Sequence, residues 1–390
     1  MTGDEPPPAV STWRNRPLAD LLDELGATGL PEHGFPTDGW SGARFSMIER
    51  PAMDGRAPER IVLKRTSLAI DWIAAATHDD DLREARLAST ARRRSTPRLG
   101  ETLPYLGAAV DRDESAVIVM PDLSDELLAW ERPSSLAAEI DVAVVDRVLD
   151  RLAALHATPW PQVIDPGARW STDPPFPWCP LPERLTLTAR PTCERHIARG
   201  VPAGVESARK LLAGWDAFDR TAPAAARELI AELGDDPGRL VAALDQLPAV
   251  GLHGDLKLAN VAIGPGPDQI RFIDWQMTLQ APIALELGWF LVTNSASLPE
   301  HPDALLARYR TSLEWHLGRI SAGGRPSDLV HVAGDWDAQV DLAWIIGLLL
   351  RGWRKGLDAE TGATLGSGVS GVADLAEWSS RAIEAAARRL

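Results

Sequence analysis

Three oxygen-bearing side chains sit close together in this sequence, in the order a carboxylate, a carboxamide and a second carboxylate. Asp255 and Asn260 lie in His253-Gly254-Asp255-Leu256-Lys257-Leu258-Ala259-Asn260, and Asp274 follows in Phe272-Ile273-Asp274-Trp275-Gln276. Phosphoryl transfer needs this set: an aligned hydroxyl nucleophile, neutralised phosphate charge and held Mg²⁺. Asp255 suits the first task, orienting a substrate hydroxyl and accepting its proton. Asn260 offers a side-chain oxygen to Mg²⁺, and Asp274 bridges the ions that grip the β- and γ-phosphates, since this hard cation prefers oxygen ligands. Lys257 is within reach of the transferring group.

The elements around these residues must hold them rigidly. Val261-Ala262-Ile263 and Ile270-Arg271-Phe272-Ile273 flank Gly264-Pro265-Gly266-Pro267-Asp268. That text predicts a hairpin, which places both metal ligands on one stiff ribbon. Upstream, the pattern predicts strands over 34–53, at 60–65, near 108–110 and at 116–120, and helices over 18–30 and 80–94. The second helix carries acid first and Arg92-Arg93-Arg94 last, as the macrodipole favours. After Pro121 the helical period dominates: 136–156, 203–246, 302–320, 336–356 and 370–390. Pro159 to Pro191, rich in Pro and Trp, reads as an irregular insertion. Strands first and helices after argue an α+β fold.

HGDLKLAN with FIDWQ resembles the aminoglycoside phosphotransferase/choline kinase superfamily, and its His-x-Asp-x-x-x-x-Asn spacing also matches the protein-kinase loop. The resemblance is carried by residues 250–290, extends over 40–125, and is architectural elsewhere. It implies a bilobal protein-kinase-like fold: an N-terminal antiparallel β-sheet lobe with a helix over residues 1–120, a hinge at 121–125, and a larger helical lobe over 126–390 with the catalytic loop and acceptor site. It implies ATP or GTP as donor with Mg²⁺. Lys64 stands where such folds keep the lysine for the α/β-phosphates, and Glu84, twenty residues on, where they keep its ion-pair partner. Gly39 and Gly42 bound a turn suited to covering phosphate with backbone N–H groups. Met120 and Asp122 fall in the hinge that would read the adenine edge. Glu286 occupies the place of a familiar Asp and is expected to brace the loop, with substrate contact as the other role. Lys257 and Gln276 depart from the superfamily, which often has His at the first place and an acid or Gly at the second.

The acceptor is expected across the cleft, among Glu286, Trp289, Asp335, Trp336, Asp337 and Asp341, with Trp353 and Arg354 further along. Acids there would grip an amine and indoles would stack a sugar or a cation. The function implied is a small-molecule kinase acting on an aminoglycoside-like, amino-sugar, sugar or amino-alcohol hydroxyl. A protein Ser/Thr kinase is the first alternative; no Ala-Pro-Glu sequence or long activation segment follows Asp274. A non-catalytic nucleotide-binding scaffold is the second, set against the presence of Lys64, Asp255, Asn260 and Asp274 together.

Bulk properties remove other classes. The net charge of −15 opposes non-specific binding to nucleic acid or anionic membrane. Two cysteines in 390 residues make no disulfide framework, and with no visible secretory signal a cytoplasmic setting is expected. The longest apolar run, Leu342 to Leu350, is far below the ~18 residues of a membrane span. Gly366 to Gly371 spells G-x-G-x-x-G but follows no strand, so a flexible loop is expected rather than a dinucleotide site.

Overall fold

The computed structural model describes residues 13–35, 39–51, 59–91, 97–128, 140–165, 175–266, 269–321, 332 and 334–390. The Arg92-Arg93-Arg94 cluster, Pro267-Asp268 and residues 166–174 of the Pro/Trp insertion lie outside these.

The N-terminal lobe is built on five antiparallel strands in the order β1-β2-β3-β5-β4. They are β1 (Glu32–Gly34), β2 (Arg44–Arg50), β3 (Glu59–Thr66), β4 (Gly107–Val110) and β5 (Ala116–Pro121). The apolar runs of β3 and β5 are buried on both faces, which explains their unbroken hydrophobic text. Side chains alternate along a strand. Ile61, Leu63, Val117 and Val119 therefore pack on one face with Leu21 of helix α1 (Leu18–Glu24). Val62, Ile118 and Met120 pack on the other with Ala85 and Ala88. Lys64 has the parity of Val62, so the pleat turns it toward the helix that holds Ala85.

That helix begins later than its acidic text suggests. A short α2 (Trp72–Ala76), capped by the Asp71 carboxylate, precedes it. His78 and Leu82 then take positive φ (51° and 49°), and Asp79 receives the Arg83 N–H at 2.7 Å, so α3 runs Arg83–Ala91. Helix α4 (Pro97–Thr102) leads into β4.

The second lobe is helical. It contains α5 (Val142–His156), α6 (Trp160–Ile164), α7 (Leu181–Thr186), α8 (Arg190–Arg199), α9 (Pro202–Thr221), α10 (Ala224–Asp235), α11 (Gly238–Leu244), α12 (Ile283–Thr293), α13 (Pro302–Ser321), α14 (Trp336–Thr361) and α15 (Gly371–Arg389). The described part of the Pro/Trp insertion is only partly irregular: it holds α6, α7 and the start of α8, while 175–180 has no regular structure. Pro161, Pro182 and Pro191 sit in the opening turns of α6, α7 and α8, where the missing N–H costs nothing and the fixed φ fits a helix start. All of α12 is buried, crossed closely by α14. Gly288 permits the crossing, since a Cβ there would meet the Ala343 carbonyl.

The G-x-G-x-x-G segment is a closed turn rather than a loose loop: Thr364 bridges Ser370, Leu365 N–H bonds the Val369 carbonyl, and Ser370 caps α15. Among the described residues no helix is long and apolar enough to cross a membrane, and both cysteines are free and buried. Two small ladders, β6 (Val250–Leu252) with β9 (Leu279–Ala281) and β7 (Val261–Ile263) with β8 (Ile270–Phe272), frame the stretch that carries Asp255, Asn260 and Asp274.

Candidate active site

The loop that leaves β6 is fixed from below. Glu286, in the first turn of α12 and fully buried, accepts the N–H groups of His253 (2.8 Å) and Gly254 (2.9 Å). His156 Nε2 lies 3.3 Å from the same carboxylate, and His156 Nδ1 lies 2.7 Å from the Tyr309 hydroxyl. Burial pushes the Glu286 carboxyl up, but His156, His253 and the backbone donor more than offset it, and the group stays below its ordinary value. Glu286 is thus a brace. Its expected alternative role as a substrate residue is ruled out by its burial beneath the loop.

Gly254 turns the chain with φ +85°, and a Cβ there would collide with the Met277 carbonyl. The His253 ring spans the loop, with Nδ1 accepting the Asp255 N–H (3.2 Å) and Nε2 donating to the Ile273 carbonyl (2.9 Å). Both nitrogens are engaged, which leaves no free lone pair for base chemistry. Asn294 accepts the Leu258 N–H at 2.8 Å, closing the loop on α12.

Within this frame the predicted residues meet. Asn260 Nδ2 donates to the Asp255 carbonyl (2.9 Å) and carboxylate (3.3 Å), and Lys257 Nζ lies 3.3 Å from the same carboxylate. Lys64 Nζ is bound by Glu84 at 2.6 Å and by Asp274 at 2.6 Å. Burial alone would lower the Lys64 pKa; Asp274 and Glu84 reverse this and raise it well above an ordinary lysine. Asp274 is correspondingly held below its ordinary value: burial opposes, and Lys64 and Lys257 prevail. Asp274 itself has φ 65°, a left-handed conformation uncommon outside glycine and asparagine. Such outliers gather at sites whose surroundings enforce them.

These residues fit a magnesium–nucleotide complex. Asn260 spends its NH₂ on Asp255, which leaves the amide oxygen for a cation, and one carboxylate oxygen of Asp274 remains beyond the Lys64 contact. Among the described residues no three His, Cys, Asp or Glu side chains converge as a metal cage. Mg²⁺ in phosphoryl transfer takes one or two protein oxygens and fills its shell from phosphates and water, so a sparse donor set is the appropriate one.

Other expected residues fare differently. The β1–β2 connection is stapled down. Trp72 N–H donates to the Ser41 carbonyl (3.1 Å), and the Trp40 carbonyl accepts Trp72 Nε1 (2.7 Å) and the Ser207 hydroxyl (3.4 Å). Gly42, at φ +97°, packs where a Cβ would strike the Ile70 carbonyl; Gly39 opens the same turn. Met120 is buried in the sheet core under α3. Asp122 spends its N–H on the Arg60 carbonyl (2.9 Å) and its carboxylate on Arg60 and Ser124, so that N–H is not open to read a nucleotide.

Trp289 lies on the loop side, under the Arg184 guanidinium at 4.6 Å. Asp335, Trp336 and Asp337 do not. They open α14, where Gly334 abuts Pro248, Asp335 caps the helix and faces Arg389, and Trp336 stacks on Tyr309. At a 1.5 Å rise per residue, Trp336 lies roughly 22 Å along the helix from Arg351, which is near Trp289. Asp341 is bound by Arg388 and Arg389.

Sequence reasoning missed Tyr105, whose hydroxyl donates to Glu84 at 2.6 Å and accepts the Trp275 N–H at 3.4 Å. One signal existed: the chain has two tyrosines, and each ends on a carboxylate or histidine beneath this site. It also missed Arg83. This buried side chain donates to the Pro177 carbonyl (2.6 Å), the Gln276 carbonyl (2.6 Å) and Thr77.

The phosphotransferase enzyme family matches residues 97–322, more than half of the chain. Among solved structures the chain is similar to choline kinase LicA from Streptococcus pneumoniae, at 12% identity over 93% of this chain and 97% of that one, TM-score 0.43. It is similar to a choline/ethanolamine kinase family protein from Mesorhizobium loti, at 16% identity over 94% and 98%, TM-score 0.39. A choline kinase from Cryptosporidium parvum Iowa II is a third, at 10% identity over 94% and 90%, TM-score 0.46. No curated protein matches the sequence.

Proposed function

Since the chain belongs to the phosphotransferase enzyme family, we propose that it transfers the γ-phosphoryl group of ATP to a hydroxyl of a small molecule, with Asp255 as the proton acceptor. Asn260 and Asp274 hold Mg²⁺, which neutralises phosphate charge when bound. Lys64, kept cationic by Glu84 and Asp274, binds the α/β-phosphates, and Lys257 stands beside Asp255 to meet the transferring group. Residues 1–120 supply the nucleotide lobe, 121–125 the hinge and 126–390 the acceptor lobe. The free, buried cysteines are in keeping with a cytoplasmic setting.

The observation that carries this reading is the joining of two distant stretches. Lys64 is bound at once by Glu84 of α3 and by Asp274 beyond β8, 210 residues away. A fortuitous loop of polar residues would not bring a lysine, its helix partner and a metal-type carboxylate to one point beside Asp255. Replacing Asp255 by Asn keeps size and hydrogen bonding but removes the proton acceptor. We expect kcat to fall about 10²-fold or more, with nucleotide affinity retained. Turnover near wild type in Asp255→Asn, read with any accepted hydroxyl compound, would refute the assignment.

A further inference from the structure

The groups around Asp274 close into one circuit. The Trp275 N–H donates to the Tyr105 hydroxyl (3.4 Å, the longest contact of the circuit), and that hydroxyl donates in turn to Glu84 Oε1 (2.6 Å). Glu84 Oε2 accepts from Lys64 Nζ (2.6 Å), and Lys64 Nζ also donates to Asp274 Oδ1 (2.6 Å). The peptide that joins Asp274 to Trp275 completes it. Lys64, Glu84 and Asp274 already have parts in the reading above. Tyr105 has none, yet its oxygen both donates and accepts, which a phenol can do and the other members here do not.

Tyr105 stands between α4 and β4. Its ring packs on the cluster that holds Met120 and on the larger cluster of the helical lobe. Burial, then the Glu84 charge, push its ionisation far above that of an ordinary tyrosine, so the hydroxyl keeps its proton. It therefore brings Glu84 a donor without adding a charge. Glu84 is buried, and its Oε1 has no other donor among the described residues. With Lys64 on one oxygen and Tyr105 on the other, the carboxylate is held at both ends. Across the circuit, Asp274 has φ 65° and ψ 57°, and Trp275 opens a short 3-10 turn. The first N–H of such a turn has no partner inside it; the Tyr105 oxygen is its acceptor. Asp274 is thus gripped twice, by Lys64 at its carboxylate and by Tyr105 at its peptide. Its side chain still keeps 28% of its surface open, so a cation can reach it.

Resting on the phosphotransferase reading above, we propose that Tyr105 is a positioning residue for the metal site: its hydroxyl joins Glu84 to the Asp274 peptide and so holds the Asp274 carboxylate in the pose that takes Mg²⁺ with the nucleotide. Tyr105 touches neither metal nor substrate. Loss of the hydroxyl opens the circuit at two bonds together. Glu84 Oε1 becomes a buried acceptor without a donor, and the turn at Asp274 loses the partner of its first N–H. Ordering the Asp274 carboxylate then falls to metal binding. The loss should appear in the coupling between Mg²⁺ and nucleotide rather than in nucleotide binding alone.

Calorimetry of the full chain with a non-hydrolysable ATP analogue, with and without MgCl₂, gives the factor by which Mg²⁺ tightens binding. No acceptor need be known. Tyr105→Phe keeps the packed ring and removes the hydroxyl. In it the factor should fall about 10-fold, the order that a hydrogen bond to a charged group supports, while metal-free affinity changes by about 2-fold or less. Its melting temperature should stay well above that of Tyr105→Leu, which loses the packing as well. In an Asp274→Asn background, where the metal carboxylate is already gone, Tyr105→Phe should alter the factor little. A factor in Tyr105→Phe within about 2-fold of wild type overturns the proposal and leaves phosphoryl transfer standing. So does a melting temperature as low as that of Tyr105→Leu, or a fall in the Asp274→Asn background as large as in the native one. A wild-type chain that binds the analogue no better with Mg²⁺ than without counts against the phosphotransferase reading itself, and the proposal falls with it.

Discussion

Lys64 shows how much of the chemistry lies in single side chains. Its burial alone disfavours charge, and two carboxylates at 2.6 Å restore it. Type and spacing singled out Asp255, Asn260 and Asp274 as candidates, and the resemblance to kinase-like folds added Lys64 and Glu84; the structure brings Lys64, Glu84 and Asp274 into contact. Tyr105, Arg83 and Arg184 were not legible. Arg83 and Arg184 act on backbone carbonyls far away in sequence, and a carbonyl leaves no mark on the residue type that owns it. His196 carries a prediction at this scale. It is buried edge-on to Trp72 (4.8 Å), and burial, then Arg199 and Arg195, press its pKa down from 6.5 to about 4. Between those values the unfolded chain binds the extra proton, so stability rises with pH across the window and is lost on acidification. Melting temperature should therefore fall from pH 7 to pH 5 by less in His196→Phe than in wild type. Parallel curves for the two proteins would show that His196 does not contribute.

At the scale of elements, the catalytic loop is a short bend held by donors and acceptors on every side. Gly254 is its tightest point. Gly254→Ala must place a Cβ against the Met277 carbonyl at a φ of +85°. We expect a loss of about 3 kcal/mol or more, or failure to fold, measured by chemical denaturation. A loss under about 0.5 kcal/mol, the range of ordinary surface changes, would mean that the loop is slack. Strands β2 to β5 and helices α5, α9 to α11 and α13 to α15 were readable from periodicity, with boundaries shifted where a cap decided them. The α3 start moved because Asp79 takes the Arg83 N–H, a side-chain choice that periodicity does not encode. The Pro/Trp segment was expected to be irregular throughout, whereas Pro161, Pro182 and Pro191 stand in the first turns of α6, α7 and α8. Asp335 and Asp341 of α14 were offered to a substrate, but their partners are Arg388 and Arg389 of α15, which no local pattern reveals.

At the scale of the molecule, the two lobes share more than a cleft. Arg83 opens α3, next to Glu84, yet its guanidinium is bound by carbonyls of Pro177 and Gln276 in the other lobe. The Gln276 carbonyl lies two residues beyond Asp274, so the contact ties the start of α3, and with it Glu84, to the stretch that carries Asp274. The β1–β2 connection adds a second tie through Trp40 and Ser207. Arg83→Met should lower kcat more than it changes the KM for nucleotide, and should lower the melting temperature, because three carbonyls lose their donor. Steady-state kinetics beside thermal denaturation separates the two effects, and an unaltered kcat would deny Arg83 any part in alignment.

The guanidinium of Arg83 also bears on how the chain comes apart. A cation sealed among carbonyls from both halves cannot let go of one half without baring itself and its former partners together. Scanning calorimetry of the native chain should then show one endotherm whose van't Hoff and calorimetric enthalpies agree, and in Arg83→Met that single peak should broaden or divide, as the sheet and the helical bundle begin to melt on separate schedules.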